Sequence, residues 1–503
     1  MTRATRSASQ RPPTTPMQPM DAFFWYAQAA APHIRPLVAG LFMLDRSPDP
    51  PRFRAALGSL VAQLPRLRQR VHEPSLPIGM PYWADDPHFD FDYHLRSTTL
   101  PAGASERQLL DLASAVFATP LDPLRPLWEG LLIQGVEGGR AALLLKLHHS
   151  IMDGVGAVSL FDALTQAGRT EAIRARRASR HRSHSGAPPR SMASEAAQNA
   201  LSLAGSAAGF LLSPLATADA ARRAVRRARG IWSDLQTLPS IDPLAARCTG
   251  VGRRLDAVTF SLAQLRRLKS TLSISLNDLL LTIVAGAIGR YHQQHHLRVA
   301  EVSCVVPTNL RQAPTPGTLG NRVGAFQVRL PIGERDALRR LELIHRQTAP
   351  AKATREGATY GGLLQVVAVV PSAVFRAMAR VVEGRVHLIC SNVAGPPLQR
   401  YLAGAKIDAV FPFAPVLLGI PLSIAMVSYG DTCGIGIDAD PVAIPDPELL
   451  GQYLLDEVRR LESLIHPRRR EAGGTPATAH ALRVVGHNGA KRQTPAPPTL
   501  QPH

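Results

Sequence analysis

The chain has 503 residues, 45% of them hydrophobic, and a formal net charge of +19. That length and apolar content predict two globular domains with substantial cores. The charge would suit a nucleic-acid binder, but residues 1–19, 165–230 and 466–503 carry net +3, +9 and +5, all but two of the total. The folded parts are therefore nearly neutral, and the basic stretches hold too few aromatics to stack bases, which excludes nucleic acid as a partner.

Residues 1–19 contain arginines, threonines and prolines but no apolar run. They predict a disordered leader rather than a secretory signal, with Met17 and Met20 as alternative starts. A first domain is expected over 20–165, with strands near 36–44, 128–135 and 142–148 and helices near 50–64 and 105–118. Residues 166–249 form a basic, partly helical linker. Within it, 196–218 carries no charge, spaces Leu201, Leu203, Phe210, Leu211, Leu212 and Leu215 among small residues, and is broken by Pro214. A membrane-spanning helix needs about 20 predominantly apolar residues, and this stretch is too rich in small polar ones. It predicts a helix docked on the protein or lying on a lipid surface, followed by the arginine-rich run 221–229.

The second domain is expected over 250–465. Its strands fall near 256–261, 300–307, 321–331, 386–391, 421–429 and 432–438. Helices start near 276, run across 334–383, and close at 446–465. Alternation of helix and strand in both halves predicts α/β layers. Residues 466–503 read as a disordered basic tail. Cys248, Cys304, Cys390 and Cys433 show no pairing pattern, which suits a reducing cytosol.

The most informative residues are His148-His149-Ser150-Ile151-Met152-Asp153-Gly154. They lie between a buried strand pattern, Ala142–Leu147, and apolar residues at helical spacing from Gly154 to Leu164, so both histidines sit at a strand-to-helix junction. Successive side chains leaving a strand face opposite ways. His149, nearer the turn, is the candidate general base, because imidazole has the unperturbed pKa closest to the task of deprotonating a hydroxyl at neutral pH. His148 has a packing or hydrogen-bonding role. Asp153 can accept from His149 or pair with an arginine and hold the loop, and the structural role is preferred. Gly154 permits a positive φ and close approach of a substrate. The other tandem pair, His295-His296, lacks the aspartate and glycine and reads as a solvated helix end. Neither pair has the spacing or third ligand of a zinc site.

These residues carry a resemblance. With Met20-Asp21-Ala22-Phe23-Phe24, Pro126-Leu127-Trp128-Glu129, Asn277-Asp278, Val306-Pro307-Thr308-Asn309-Leu310-Arg311, Leu319-Gly320-Asn321-Arg322 and Ser391-Asn392-Val393-Ala394-Gly395-Pro396 in order around the histidine motif, the chain resembles bacterial wax ester synthase/acyl-CoA:diacylglycerol acyltransferases of the H-H-x-x-x-D-G superfamily. Ala394, where the family usually has proline, and the polar Thr308-Asn309 depart from its pattern.

The resemblance implies two chloramphenicol-acetyltransferase-like lobes, each a mixed sheet with flanking helices, and an active-site channel between them. It implies an O-acyltransferase that moves a fatty acyl group from acyl-CoA to diacylglycerol or a long-chain alcohol, with no cofactor or metal. Asn277 is then a candidate oxyanion donor, or else the cap of the helix it opens. Asp278 and Trp128 complete the substrate-side candidates, Trp128 more as a packing anchor beneath the histidine loop. Arg311 and Arg322 are candidate partners for Asp153. The expected location is cytoplasmic, with peripheral association to anionic membrane or lipid inclusions. A carrier-protein-dependent acyltransferase or condensation enzyme of the same superfamily, and a non-catalytic lipid-binding protein, are the alternatives.

Overall fold

The computed structural model describes residues 15–30, 34–73, 81–170, 242–309, 320–321, 323–353, 386–416 and 419–465. The linker's uncharged stretch, its arginine run, the basic tail, Arg311 and Arg322 lie outside the described residues.

The first half contributes strands β1 (Thr15–Pro16), β2 (Leu37–Leu44), β3 (Gln69–His72), β4 (Tyr82–Asp85), β5 (Leu95–Ala104), β6 (Trp128–Val136) and β7 (Arg140–His148). Its helices are α1 (Pro19–Ala30), α2 (Pro50–Gln63), α3 (Phe91–His94), α4 (Glu106–Ala118) and α5 (Gly154–Leu164). The second half contributes β8 (Arg254–Ser261), β9 (Val302–Asn309), β10 (Val323–Leu330), β11 (Leu388–Ala394), β12 (Tyr401–Leu402), β13 (Ala405–Phe413), β14 (Leu422–Tyr429) and β15 (Thr432–Ala439). Its helices are α6 (Leu262–Thr271), α7 (Leu276–Gln294), α8 (Ala337–Ala353) and α9 (Pro447–Ile465).

Two six-stranded sheets organise the molecule, in the orders β12-β13-β2-β7-β6-β5 and β10-β9-β11-β14-β15-β8. Both are mixed: β5·β6 runs parallel beside antiparallel neighbours in the first, and β9·β11 and β11·β14 run parallel in the second. β7 is central in the first sheet, and its Ala-Ala-Leu-Leu-Leu-Lys-Leu-His run is buried on both faces, the pattern a covered strand requires. Lys146 is tolerated there because its ammonium donates to the Val116 and Thr119 carbonyls and pairs with Glu129. In the second half α7 is buried along Leu279–Ile288 and packs against α8 and α9.

Two boundaries differ from the sequence expectation. The leader is not unstructured up to residue 19: Thr15-Pro16 pair with Trp83 and Tyr82, Met17 is buried, and α1 begins at Pro19. The second half is also not confined to its own sheet, because β12 and β13 join the first one, Phe413 opposite Ala39 and Val410 opposite Phe42. No strand is predicted there, since Pro412 interrupts the run. It is accommodated because the two-residue β12 covers only the start of β13, leaving Pro412 on an edge where no ladder partner is lost. β13 also crosses the face of the second sheet, its Val410 and Pro412 carbonyls resting on Gly434 and Gly436, where a Cβ would lie 1.9 Å from each oxygen. Among the described residues no single helix is long and apolar enough to cross a membrane.

Candidate active site

β7 ends at His148, and the next residues turn into α5. His148 N donates to Leu127 O and His149 N to Pro36 O, so the backbone is held on both sides at the turn. The two imidazoles diverge, as alternation demands. His148 is buried in the first lobe, where its Nδ1 accepts from Ser150 N at 3.1 Å and meets Ser150 Oγ at 2.7 Å. Burial, and then the neighbouring His149, push its pKa down to about 3, so it stays neutral.

His149 instead faces a cavity of about 160 Å³. Its ring stacks on Phe24 with centroids 4.0 Å apart and planes at 19°. Nδ1 lies 3.0 Å from Asn321 Oδ1, and Asn321 Nδ2 donates to the His149 carbonyl at 2.7 Å. Asn321 in turn donates from N and Nδ2 to Asp21 Oδ1, at 3.0 and 2.8 Å. Asp21 is buried, with Arg66 3.7 Å away. Burial raises its carboxyl to about 6, against the opposing pull of Asn321 and Arg66. Burial also holds His149 below the ordinary histidine value, opposed by its own carbonyl, the charge of Asp153 and the Asn321 oxygen.

The cavity walls come from both halves. Val38, Phe42, Leu145, Leu147 and Phe161 line it on one side, and Ser391, Val393, Phe413, Met426 and Tyr429 on the other. The lining is almost wholly apolar, which suits an aliphatic chain. Among the described residues, the polar side chains at its wall are few: His149, Asp153, Ser391 and Tyr429. The Tyr429 hydroxyl is engaged by Gln399 Nε2, Arg400 N and Ile407 O, so it serves the fold.

Asp153 caps α5, its Oδ1 accepting from Gly156 N at 2.8 Å. Gly154 does not have a positive φ, contrary to expectation. Its lack of a side chain matters for packing: a Cβ there would lie 2.8 Å from Val393 Cγ2, on β11 of the other half. Three further candidates are not brought to the cavity. Asn277 does not line it and does not cap α7, because Ser275 Oγ accepts from Asp278 N at 3.1 Å and is the cap. Asp278 is buried within the second lobe, its carboxylate bound by Thr348 Oγ1 at 2.6 Å and His345 Nδ1 at 3.0 Å, which ties α7 to α8. Trp128 is a core residue, its Nε1 donating to Leu67 O at 2.8 Å and its ring stacked on His94. None of these three lines the cavity beside His149.

Sequence reasoning missed Asp21, Asn321 and Ser391 as site residues. Each stands in a quoted block, and that placement was the available signal. His295 also differs slightly from a solvated helix end: it caps α7, lies against Tyr291 and approaches Asp446 at 3.4 Å.

Comparison with known proteins agrees with this architecture. Residues 17–280 match the family model for the wax ester synthase/diacylglycerol acyltransferase catalytic domain, and residues 319–462 the WS/DGAT C-terminal domain. A Mycobacterium tuberculosis protein that carries a provisional diacylglycerol O-acyltransferase name is 30% identical over 471 residues, covering 90% of this chain and 93% of its own. The O-acyltransferase WSD of Acinetobacter baylyi is 28% identical over 476 residues, covering 90% and 97%. Among solved structures, the wax ester synthase/diacylglycerol acyltransferase of Marinobacter aquaeolei superposes with a TM-score of 0.63 at 21% identity, covering 90% of this chain and all of that one. The starter condensation domain of rhizomide synthetase has the same fold, with a TM-score of 0.54 at 15% identity over 90% of this chain and 95% of its own.

Proposed function

The chain belongs to the wax ester synthase/diacylglycerol acyltransferase family, and from that premise we propose that it transfers a fatty acyl group from acyl-CoA to diacylglycerol or a long-chain alcohol, with His149 as the general base. The observation that carries this reading is the position of His149, a histidine at the wall of an apolar cavity built from both halves, with Nδ1 turned to an amide oxygen. A proton on Nδ1 leaves the lone pair on Nε2.

In the proposed reaction Nε2 takes the acceptor hydroxyl's proton as that oxygen attacks the thioester carbonyl. The carbonyl π bond opens to an oxyanion. When it re-forms, the carbon–sulfur bond breaks and the thiolate leaves, taking the proton back from Nε2. The products are an ester and free CoA thiol, and no cofactor or metal is required. Ser391 is the hydroxyl at the cavity wall left to donate to the oxyanion, since Tyr429 is occupied.

Peripheral lipid association belongs to the same proposal. Leu398 is 72% exposed, two residues beyond Pro396 of the cavity wall, so an apolar side chain projects from the segment that borders the site.

The test is thiol release from palmitoyl-CoA with hexadecanol or dipalmitoylglycerol, comparing wild type with His149→Ala. Acceptor-dependent release that vanishes in the variant, with ester recovered, is expected. A folded protein that binds acyl-CoA without acceptor-dependent release overturns the proposal and favours a carrier-bound acyl donor or simple lipid binding.

A further inference from the structure

We propose that Asn321 is the positioning residue of His149, and that Asp21 locks Asn321 in the one orientation in which it can act. This rests on the reading of His149 as the base and extends it to the group that selects which ring nitrogen works.

The argument is one of donors and acceptors. Asn321 Nδ2 lies 2.7 Å from the His149 carbonyl, which only accepts, and 2.8 Å from Asp21 Oδ1, which also takes the Asn321 backbone N–H. The amide nitrogen must therefore be the atom on that side, and the atom facing His149 Nδ1 must be the oxygen. An amide oxygen cannot donate. His149 consequently carries its proton on Nδ1, and Nε2 is the basic nitrogen. With the amide reversed, its NH₂ would face Nδ1 and favour the opposite tautomer, and its oxygen would face two acceptors, Asp21 Oδ1 and the His149 carbonyl.

Asn321 reaches this place by backbone geometry. Met152 of the histidine loop bridges to Gly320, whose φ of +120° is a conformation that side chains rarely adopt, and the chain then delivers Asn321 beside the ring. Phe24, on the same helix as Asp21, stacks against the imidazole and fixes its plane. The clamp thus joins three distant segments: α1, the histidine loop and the segment before β10. Asp153, whose Oδ1 caps α5, supplies charge near His149.

The experiment reads the tautomer directly. In the full-length protein with ¹⁵N-labelled histidine, the His149 ring is identified by the resonances lost in His149→Ala, and its tautomer is read from ring nitrogen–proton correlations. Wild type is expected to be the Nδ1–H form. Asn321→Ala should weaken that preference, the ring's own carbonyl remaining as an acceptor, and lower kcat by at least about 10²-fold, the scale on which a misplaced or mis-tautomerised base loses rate, with KM for acyl-CoA changed less than about twofold. Asp21→Asn weakens the lock while leaving the Asn321 side chain and its contacts to His149 in place, so it should shift the tautomer and lower kcat in the same direction, by less, even where Asn321→Ala folds poorly. An Nε2–H tautomer in wild type, or Asn321→Ala and Asp21→Asn both leaving tautomer and kcat untouched, overturns the proposal. Because the tautomer is observed without turnover, its failure is distinct from that of the base assignment, which an active His149→Ala would show.

Discussion

Gly154 and Val393 bring the two halves of the molecule into contact beside the histidine loop: Val393 Cγ2 occupies the space within 2.8 Å of where a side chain on Gly154 would begin. The first turn of α5 therefore rests on β11 of the other half. Gly154→Ala is expected to cost about 1–3 kcal/mol by overpacking, read as a lowered melting temperature, and to reduce activity. Val393→Ala in the same chain should relieve most of it. A double variant no better than Gly154→Ala would mean that the contact does not limit the packing.

Asp21 makes stability depend on pH in a stated sense. Its carboxyl is raised from 3.8 to about 6 by burial, so between those values the folded state binds the proton more tightly than the unfolded state. This group's contribution is fully present below 3.8 and is lost as pH rises through about 6, a difference on the order of 3 kcal/mol. Unfolding of wild type and Asp21→Asn across pH 4–8 isolates it, since other groups cancel: wild type should gain on the variant as pH falls. A constant difference would mean that Asp21 does not titrate in this window.

Removing the Ser391 hydroxyl should slow the chemical step. If it donates to the oxyanion, Ser391→Ala lowers kcat by roughly 10²–10³-fold with KM little changed. Equal kcat in the variant would assign oxyanion stabilisation to another group.

Substitutions at Ser275, Asn277 and Trp128, none of which lines the cavity, should separate stability from activity. Ser275→Ala removes the cap of α7 and should cost about 1 kcal/mol, whereas Asn277→Ala should leave both stability and turnover close to wild type. Trp128→Phe loses the hydrogen bond to Leu67 O and should lower the melting temperature while the folded fraction keeps its specific activity. A selective loss of kcat in Asn277→Ala would return that residue to the reaction.

Leu398→Glu should weaken co-sedimentation with anionic liposomes or lipid droplets without changing the rate on detergent-dispersed acceptor. Deleting 171–195 tests the linker's arginines in the same assay. Binding unchanged in both variants would place any lipid contact elsewhere.

Much of the fold was legible because its signals are local. The β7 run reads as a covered strand from its own residues, and the mixed α/β character follows from the alternation of helix and strand. β13 was not legible: Pro412 spoils the local pattern, and the strand is defined by pairing with β2, some 370 residues earlier in the chain. Gly154 reads as a position for a positive φ and close substrate approach, whereas its need to stay small comes from Val393, which nothing near Gly154 announces.

The site divides in the same way. The sequence by itself determined that a histidine leaves a buried strand at a turn, that its neighbour must point elsewhere, and that an aspartate directly precedes the next helix, where it reads as holding the loop and in the structure caps the helix. Those outcomes depend on residues within a few positions of one another, through strand alternation and N-terminal capping. Only the tertiary structure decided what surrounds His149. Asn321 lies 172 residues from it and 300 from Asp21, and their hydrogen bonds exist because α1, the histidine loop and the segment before β10 meet in the folded chain. Directional contacts across such separations depend on how whole surfaces pack, so the residue types were visible in the chain while their partners were not.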